Sequence, residues 1–452
     1  MLSDIHFDPF HDPAKFAQLK AAPASAWGAI LNSAPSATQA ADFDALQKTC
    51  KMKGVDTPAA LFTSALHAMH EREPKPLFVT VSGDLTAHQF DCRFKQLDPK
   101  GTEAEYTAFA VKTVAYVSIA LHATYPQSPI YFALGNNDSG CGDYAEDANS
   151  PYLAADAKTF SADVLSKPNA TAYVKDFPKL GDANVALPPP FQHTRLLILQ
   201  DLFESQRYAG CDKKPSAEPT KQQIAWLRAQ LDAAGKAHEH VWVMAHIPPG
   251  VDAYNTFHDM KNVCGGDAPT MFLGSEDLAR VITEYAGTVK LMLFGHTHMD
   301  EMRFYTGAHN QGIPGKLVPS ITPVNGNNPS FTIAQADVPN AGLKDYAVYA
   351  ADNQTGIGTK WSEEYRYSTT YHQPDFNAES LAHITEGFLQ DKSSSTATSQ
   401  AYQHNYFVGT PAAGMKAAAK AGALALVWPA YACSLTQPTE AGFRSCMCPA
   451  KP

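Results

Sequence analysis

Seven side chains that can bind a divalent metal ion follow short apolar runs in the first 300 residues of the chain. They are two aspartates, one asparagine and four histidines: Asp4, His6, Asp84, Asn136, His246, His296 and His298. Mixed imidazole, carboxylate and amide ligation favours zinc, iron or manganese over calcium. Seven ligands serve two cations if one carboxylate is shared, and two cations roughly 3.5–4 Å apart are typical of hydrolytic sites. The residue types therefore predict a dinuclear hydrolytic centre.

Each motif that contains one of these side chains is weak evidence when it is taken alone. A single histidine or aspartate after a strand is more often a hydrogen-bonded polar residue at the edge of the core. The series is stronger evidence, because five separate apolar runs lead into such residues. The motifs are "SDIHFD", "SGDLTAH", "GNND", "AHIPPG" and "FGHTHMDE".

The elements that must position these side chains are also visible in the sequence. Candidate strands are predicted at 77–83, 130–135, 195–201, 241–247 and 290–295. Amphipathic stretches typical of helices lie between them at 103–122, 221–234 and 275–285. This alternation predicts a layered α/β fold with strands covered on both faces, and ligands in such sheets gather at the carboxyl ends of the strands.

The pattern changes along the rest of the chain. After Asp300, short β-like pieces are expected to add antiparallel strands to a sheet. The Pro- and Asn-rich stretch 166–190 is predicted to be a long loop, and the low-complexity stretch 391–400 a flexible linker or loop. We expect a catalytic domain at 1–355 and a small, mainly helical, cysteine-bearing subdomain at 356–452.

The composition excludes several function classes. The chain has 452 residues, 44% of them hydrophobic, and a formal net charge of −10, which indicates an ordinary globular protein. A net negative charge argues against binding of nucleic-acid polymers, so a small anionic substrate would have to be bound locally by metal ions or a few cationic side chains. No run of 18 apolar residues predicts a membrane span.

Eight scattered cysteines without a CxxC pair favour disulfides formed in an oxidising compartment. Eight reduced, buried thiols in a cytosolic enzyme are the alternative. The chain opens on "MLSDIHFDP", with almost none of the apolar strand that should precede such a loop. We therefore expect upstream residues, such as a cleaved export signal, and a secreted or periplasmic location. The oligomeric state is left open.

The order and spacing of the motifs DxH, GD, GN, H and GHxH resemble the calcineurin-like metallophosphoesterase superfamily. The resemblance implies the metallophosphoesterase fold, with β-sheets flanked by helices, and two metal ions bridged by Asp84. It also implies that a hydroxide bridging the metal ions attacks phosphorus in line with the departing oxygen. One metal ion would be bound by Asp4, His6, Asp84 and His298, and the other by Asp84, Asn136, His246 and His296.

The longer motifs are similar to the acid sphingomyelinase-like branch of this superfamily, which includes extracellular phosphodiesterases and has endopolyphosphatases as relatives. They are "SDIHFDP", "GDLTAH", "ALGNN", "AHIPPG", "GHTHMDE" and "PSITPVNGNNPSF". The tail, ending in "CSLTQPTEAGFRSCMC", resembles the cysteine-bearing C-terminal subdomain of that branch. Within the tail we expect a disulfide between Cys433 and either Cys446 or Cys448.

One position departs from the branch. Its phosphodiesterases have a histidine after the metal-binding asparagine, whereas this chain has Asn137, as in the "GNND" form of endopolyphosphatases. The resemblance places a substrate-contacting histidine at His88, four residues after Asp84, and we assign it the role of acid or phosphate-orienting group. Further candidates for substrate binding are Tyr254, His258 and Asn325.

Three functions are compatible with these features. The first is a phosphodiesterase acting on a nucleotide or a lipid-derived phosphodiester, and the second is an endopolyphosphatase or nucleotide phosphoanhydride hydrolase. The third is a non-catalytic metal-binding protein, which the complete set of seven ligands disfavours. Zinc is the expected metal in an exported protein, with iron or manganese as alternatives.

Overall fold

The computed structural model describes residues 1–307, 311–409 and 424–448. The strands of this part are β1 (Val79–Ser82), β2 (Ile130–Ala133), β3 (Ala183–Ala186), β4 (Thr194–Ile198), β5 (His240–Met244), β6 (Val289–Phe294), β7 (Glu301–Thr306), β8 (Gly312–Leu317), β9 (Ser330–Asp337), β10 (Gly342–Ala351) and β11 (Trp361–Arg366).

The α-helices cover the sheets and form most of the C-terminal part. They are α1 (Phe16–Ala21), α2 (Trp27–Leu31), α3 (Gln39–Thr49), α4 (Ala59–Arg72), α5 (Phe90–Leu97), α6 (Glu103–Thr124), α7 (Pro151–Ser161), α8 (Lys167–Leu180), α9 (Glu218–Lys236), α10 (Ala253–His258), α11 (Asp277–Glu284), α12 (Tyr367–Tyr371), α13 (Ala378–Gln390), α14 (Ala397–Tyr406), α15 (Trp428–Thr436) and α16 (Glu440–Met447).

The larger sheet has the strand order β3-β4-β5-β6-β8-β7. Strands β4, β5, β6 and β8 are parallel, and β3 and β7 close the two edges as antiparallel neighbours. Side chains of the central strands alternate between two apolar clusters. Trp242 faces the second sheet layer, whereas Val243 packs under α9 and α11. Burial on both faces explains why these strands are near-continuous apolar runs.

The second layer contains the parallel pair β1–β2 and the antiparallel sheet β9–β10–β11. The first residues of the chain join them. The Leu2 N–H donates to the Thr80 carbonyl at 2.8 Å, and the Thr332 N–H donates to the Met1 carbonyl at 3.1 Å. Residues 1–2 therefore run between β1 and β9, which brings the loop that starts at Asp4 to the carboxyl end of β1.

The predicted α/β fold is confirmed: parallel-strand sheets flanked by helices, with a helical C-terminal part. The predicted helix at 103–122 is α6, and its start has a local cause. Thr102 Oγ1 accepts the Glu105 N–H at 3.2 Å while the Glu105 carboxylate accepts the Thr102 N–H at 2.8 Å, which forms a capping box. Each partner thus satisfies a backbone donor that the helix itself leaves free.

The prediction of a loop at 166–190 is wrong, because this stretch contains α8 and β3. Pro168 occupies a first-turn position, where the missing N–H costs no hydrogen bond. Tyr173, Phe177 and Leu180 lie on one face of α8 and are buried. That apolar face stabilises the helix even though Pro178 lies inside it.

Two further predictions need correction. The stretch 391–400, predicted as a flexible linker or loop, is a loop only as far as Thr396: Asp391 accepts the Ser395 and Thr396 N–H groups, and α14 begins at Ala397 with Thr396 as N-cap. The pieces after Asp300 are not all antiparallel, because β8 pairs in parallel with β6.

The boundary between residues 355 and 356 stays a prediction. Strand β11 lies beyond it but pairs with β10 ahead of it, and Arg303 on β7 donates to the Ser434 carbonyl of α15 at 2.8 Å. Residues 410–423 and 449–452 of the predicted subdomain lie outside the described residues. Among the helices that the structure describes, none combines the length and the apolar character needed to cross a bilayer.

The predicted disulfides are confirmed as four bridges that use all eight cysteines: Cys50–Cys92, Cys141–Cys211, Cys264–Cys448 and Cys433–Cys446. Of the two pairings expected in the tail, the structure has Cys433 with Cys446. Cys264–Cys448 attaches the end of α16 to the segment between α10 and α11. Cys141–Cys211 likewise joins the loop after Asn136 to the segment between β4 and α9.

We expect replacement of both Cys433 and Cys446 by serine to lower the free energy of unfolding by about 3 kcal/mol, because this bridge closes a short loop in the unfolded chain. Denaturant unfolding of the variant beside the parent protein measures the change. Thiol titration of the denatured, unreduced protein should find no free thiol. Eight titratable thiols would refute both the bridges and an oxidising location.

Candidate metal centre

All seven predicted ligands meet at the carboxyl edge of the two sheet layers. Asp84 follows β1, Asn136 follows β2, His246 follows β5, and His296 and His298 follow β6. Asp4 and His6 follow the residues that run between β1 and β9. Six of the seven are buried, and the seventh, His296, is partly exposed.

The backbone at these positions is unusual. Five of the seven residues have positive φ: Asp4 (46°), His6 (43°), Asp84 (55°), His296 (72°) and His298 (67°). A non-glycine residue in this region costs about 1 kcal/mol or more, and such residues concentrate at functional sites. The left-handed turns direct consecutive ligands away from the strand and toward a common point.

Glycine is required before two of the ligands because a side chain there would collide with neighbouring residues. A Cβ at Gly135 would collide with Asp84 Oδ1, and a Cβ at Gly295 would collide with Ser3 Oγ and Asp4 Oδ2. Larger residues would therefore displace the aspartates on the neighbouring loops. The glycines of the GN and GH motifs therefore allow these loops to pack closely around the carboxylates.

One group of ligand atoms surrounds His6 Nε2. His6 Nε2 lies 3.3 Å from Asp84 Oδ2, 3.2 Å from His298 Nε2 and 3.8 Å from Asp4 Oδ1. His298 Nε2 lies 3.3 Å from Asp4 Oδ1. His6 Nε2 therefore lies within 3.8 Å of a donor atom from each of the other three residues.

A second group of ligand atoms contains the same carboxylate oxygen. His246 Nε2 lies 3.2 Å from Asp84 Oδ2 and 3.3 Å from His296 Nδ1. His296 Nδ1 lies 3.0 Å from Asn136 Oδ1. Asp84 Oδ2 therefore belongs to both groups.

These separations fit metal ligation. Two ligands placed tetrahedrally at ~2.1 Å from one ion are ~3.4 Å apart, close to the separations within each group. The tautomers also fit. His6 Nδ1 lies 2.9 Å from the Thr86 carbonyl and His246 Nδ1 lies 2.8 Å from the Ser82 carbonyl, so both Nδ1 atoms donate. Their Nε2 lone pairs then face the cluster, as in metal-bound histidines.

The electrostatics of the cluster favour a cation. Burial is the largest single influence and lowers the pKa of His6 and His246, but the nearby carboxylates, Asp84 foremost, together outweigh it and raise the pKa of His6 to about 9 and that of His246 to about 10. Burial lowers the pKa of His296 to about 4 and that of His298 to about 3. The carboxylates thus create a negative potential that attracts positive charge, while two imidazoles stay neutral and able to ligate.

Asn137 contacts the shared carboxylate. Its backbone N–H donates to Asp84 Oδ1 and its side-chain Nδ2 donates to Asp84 Oδ2, both at 2.9 Å. The two asparagines of "GNND" therefore differ in position: Asn136 has its oxygen in the second ligand group, and Asn137 holds the carboxylate common to both groups.

Sequence reasoning missed two buried aspartates that brace the ligand loops. Asp138 accepts the N–H groups of Leu85, Thr86 and Gly135, each at 2.9 Å. Asp201 accepts the N–H of His246 at 3.2 Å. Asp201 and, at Leu85 and Thr86, Asp138 bind backbone groups distant in sequence, and the last residue of "GNND" was the available signal for Asp138.

His88 lies beside the first ligand group. Its ring stacks on His6 with a centroid distance of 3.8 Å and an interplanar angle of 17°. Its Nδ1 lies 2.8 Å from Asp56 Oδ1, and Asp56 Oδ2 accepts Arg93 Nη2 at 2.8 Å. Although burial favours its neutral form, His88 and Arg93 hold the pKa of Asp56 below its ordinary value. Asp56, which sequence reasoning missed, fixes the His88 ring and leaves Nε2 available to a substrate.

Asn136 is oriented by a residue that sequence reasoning also missed. Its Nδ2 donates to Asp143 Oδ1 at 2.8 Å, which turns Oδ1 toward His296. Arg207 Nη2 lies 3.2 Å from the other oxygen of Asp143. A row of contacts therefore runs from the second ligand group to Arg207.

The site opens into a cleft of about 700 Å³. His88, Asp84, Asn136, Asn137, His296 and His298 line its floor, and residues of the C-terminal part, including Tyr431, line one wall. Of the three additional substrate candidates, the structure places Tyr254 and Asn325 in the cleft wall. It leaves His258 outside, where the ring is largely exposed and contacts Asp259.

Comparison with known proteins agrees with this geometry. The family model described as calcineurin-like phosphoesterase matches residues 1–300. The acid sphingomyelinase-like phosphodiesterase 3b of Mus musculus is 26% identical over 399 residues, covering 84% of this chain and 77% of its own length. A cyclic GMP-AMP phosphodiesterase of the same organism is 23% identical and covers 78% of this chain and 74% of its own.

A third relative, sphingomyelinase phosphodiesterase D of Dictyostelium discoideum, is 26% identical and covers 70% of this chain and 66% of its own length. A solved structure of a dimetal phosphatase from Danio rerio aligns with a TM-score of 0.38 and 13% identity, covering 67% of this chain and 88% of that one. The matches to the family model and to these sequence relatives confirm the resemblance to acid sphingomyelinase-like phosphodiesterases. Because the family model matches well over half of its length, the chain belongs to the calcineurin-like phosphoesterases and is a metal-dependent phosphoric ester hydrolase.

Proposed function

We propose that this protein hydrolyses a phosphodiester, from a nucleotide or a lipid-derived compound, at two divalent metal ions. The supporting observation is the position of Asp84 Oδ2, 3.3 Å from His6 Nε2 and 3.2 Å from His246 Nε2. One carboxylate oxygen shared by two groups of donors is the arrangement required for a bridging ligand. Asp4, His6 and His298 would complete one site, and Asn136, His246 and His296 the other.

When bound, two such ions lower the pKa of a coordinated water and neutralise negative charge on the phosphoryl oxygens. The mixed donors favour zinc, with iron or manganese as alternatives. Asn136 contributes an uncharged oxygen, so the seven side chains supply only two carboxylates. Because the ligands carry little negative charge, more of the positive charge of the metal ions stays available to attract the phosphate of the substrate.

The chain's own residues then orient the substrate. His88 lies in the cleft beside the first ligand group, with a side chain that is 31% exposed, whereas Asp56 behind it is fully buried. With Nδ1 bound to Asp56, His88 Nε2 is available to hydrogen-bond the phosphate or to protonate the departing oxygen. Asn137 holds Asp84 in the orientation that both groups share.

The four disulfides support an exported protein. Disulfides persist in oxidising compartments. We propose a secreted or periplasmic enzyme whose substrate is a small phosphate compound bound in the cleft, without binding of nucleic-acid polymers. We further propose residues 1–355 as the catalytic domain and 356–452 as the C-terminal subdomain, whose α15 supplies part of the cleft wall.

Removal of the metal ions tests this proposal. We expect chelation to lower hydrolysis of bis-p-nitrophenyl phosphate by about 10²-fold or more, because the metal contribution amounts to several kcal/mol. Zinc, manganese and iron(II) are then added back separately, with metal content measured by mass spectrometry. A chelator already saturated with zinc is the control. Undiminished hydrolysis by metal-free protein would contradict the proposal.

A further inference from the structure

The loop between β2 and α7 carries both Asn136 and the residue that orients it. Residues 134–150 of this loop contain no helix or strand. Asn136 Nδ2 donates to Asp143 Oδ1 at 2.8 Å, and the Tyr144 N–H donates to the Asn136 carbonyl at 3.0 Å. The direction of Asn136 Oδ1, which lies 3.0 Å from His296 Nδ1, therefore depends on the conformation of this loop.

A second loop supports the first one. Residues 205–217, ahead of α9, also form neither helix nor strand. The Ala209 N–H of this second loop donates to the Tyr144 carbonyl at 3.1 Å. The disulfide Cys141–Cys211 adds a covalent link between the two loops across 70 positions of the chain. The conformation of the loop that carries Asn136 is therefore coupled to this bridge.

The bracing of the first ligand group lies ahead of this disulfide. Asp138 is fully buried and accepts the N–H groups of Leu85 and Thr86, each at 2.9 Å. His6 Nδ1 lies 2.9 Å from the Thr86 carbonyl, so this bracing acts on the first ligand group. Because Asp138 precedes the disulfide and is held by its own hydrogen bonds, opening the bridge leaves the bracing in place.

The bridge can be reached by a small reductant. Cys141 and Cys211 are both partly exposed, whereas Cys50 and Cys433 of two other bridges are buried. A dithiol breaks such an S–S bond by thiol–disulfide exchange. Two electrons and two protons pass to the cysteines of the protein, and the dithiol closes to its own disulfide.

We propose that the Cys141–Cys211 bridge positions Asn136, so that opening the bridge weakens binding of the metal ion at the second ligand group and leaves the other ion in place. The bridge acts through Asp143, whose carboxylate turns the amide of Asn136. This inference rests on the proposed function, because it requires two metal sites that share Asp84. Removing an outer partner of a metal ligand commonly lowers metal affinity by about 10–100-fold.

Replacement of both Cys141 and Cys211 by serine tests the proposal, with zinc titrated into metal-free protein by equilibrium dialysis. We expect the Kd of the second-group ion to rise about 10–100-fold and that of the first-group ion to change less than about threefold. His296→Ala, which lacks a ligand of the second group, identifies that ion in the titration. At saturating zinc the bridge variant should recover the parent kcat, because it retains all seven ligands.

Treatment of the parent protein with a dithiol tests the redox dependence. After the dithiol is removed, the opened protein should show the same selective loss of the second-group ion. Manganese is the probe in this measurement, because it binds thiolates weakly. Mass spectrometry of the alkylated protein identifies which bridges have opened.

The control replaces Cys264 and Cys448 by serine. That bridge spans 184 positions, so its loss should lower the unfolding temperature at least as much, while both ions bind as in the parent. Asp143→Ala is then made in the parent and in the bridge variant. If the bridge acts through Asp143, the combined variant should bind the second-group ion no more weakly than the weaker of the two.

Four outcomes would overturn the proposal: unchanged affinities in the bridge variant, equal losses at both sites, the same loss in the control, or additive losses with Asp143→Ala. Two ions bound with parent affinity by the bridge variant would overturn this inference alone. A parent protein that binds fewer than two ions would refute the proposed function itself.

Discussion

Replacing Asp84 by asparagine is expected to lower kcat/KM for bis-p-nitrophenyl phosphate by about 10³-fold or more, the largest effect of any single change in the chain. Its Oδ2 is common to both ligand groups, so the substitution removes a charged donor from each. The loss is also larger than that of a non-bridging ligand because the negative potential over His6 and His246 comes first from this carboxylate. Steady-state hydrolysis measures it.

The matched control is Asp176→Asn, which removes the same charge from the surface of α8, where Asp176 pairs with Lys179. That variant should retain the parent activity. If Asp84→Asn kept more than about a tenth of the parent rate, a shared bridging ligand would be excluded, since a bridging charge contributes several kcal/mol.

Substitution of His88 by asparagine has the second largest expected effect, and it should depend on the leaving group. General acid assistance is commonly about 10²–10⁴-fold for a basic leaving group and small for a stable one. We therefore expect kcat to fall far more for a phosphodiester with an alkyl alcohol leaving group than for a p-nitrophenyl ester. Steady-state kinetics on the two substrates measure the ratio of the two losses in kcat.

Two further variants make this result specific. Asn137→His, added to the His88→Asn protein, should partly restore kcat for the phosphodiester with an alkyl alcohol leaving group if His88 acts as a proton donor. His67→Asn, which changes an exposed histidine of α4, should leave both rates unchanged. Equal losses on both substrates, with no restoration by Asn137→His, would mean that His88 only orients the phosphate.

The metal-centre residues could be identified from the sequence because their positions follow a simple rule. Parallel strands end at one edge of a sheet, so side chains just after Ser82, Ala133, Met244 and Phe294 must meet there. The strands themselves are apolar enough to be found without a structure. The grouping of the donors around Asp84 came from the family resemblance, and the distances agree with it.

The supporting residues could not be identified in the same way. Asp56 contacts His88 across 32 positions, and Arg207 contacts Asp143 across 64. Such contacts depend on how loops fold over one another, and neither loop has a periodic pattern. Asp56 lies in "GVDTP" and Arg207 in "ESQRYAG", which read as ordinary polar turns. Only the folded chain shows that each is fixed beside the centre.

Helix α8 shows why composition misled the prediction at 166–190. Prolines and asparagines are typical of loops, and Pro178 should cost a helical hydrogen bond. The spacing of Tyr173, Phe177 and Leu180 places three apolar side chains on one face, and their burial offsets that cost. The apolar periodicity was therefore the more informative signal, although two prolines obscured it.

The number of metal ions bound per chain tests the central claim most directly. Mass spectrometry of the purified parent protein should find close to two transition-metal ions per chain, and Asp84→Asn should lose both together, because each ligand group depends on Asp84 Oδ2. One ion in the parent protein, or a variant that keeps one ion at the parent affinity, would contradict a centre in which Asp84 joins two metal sites.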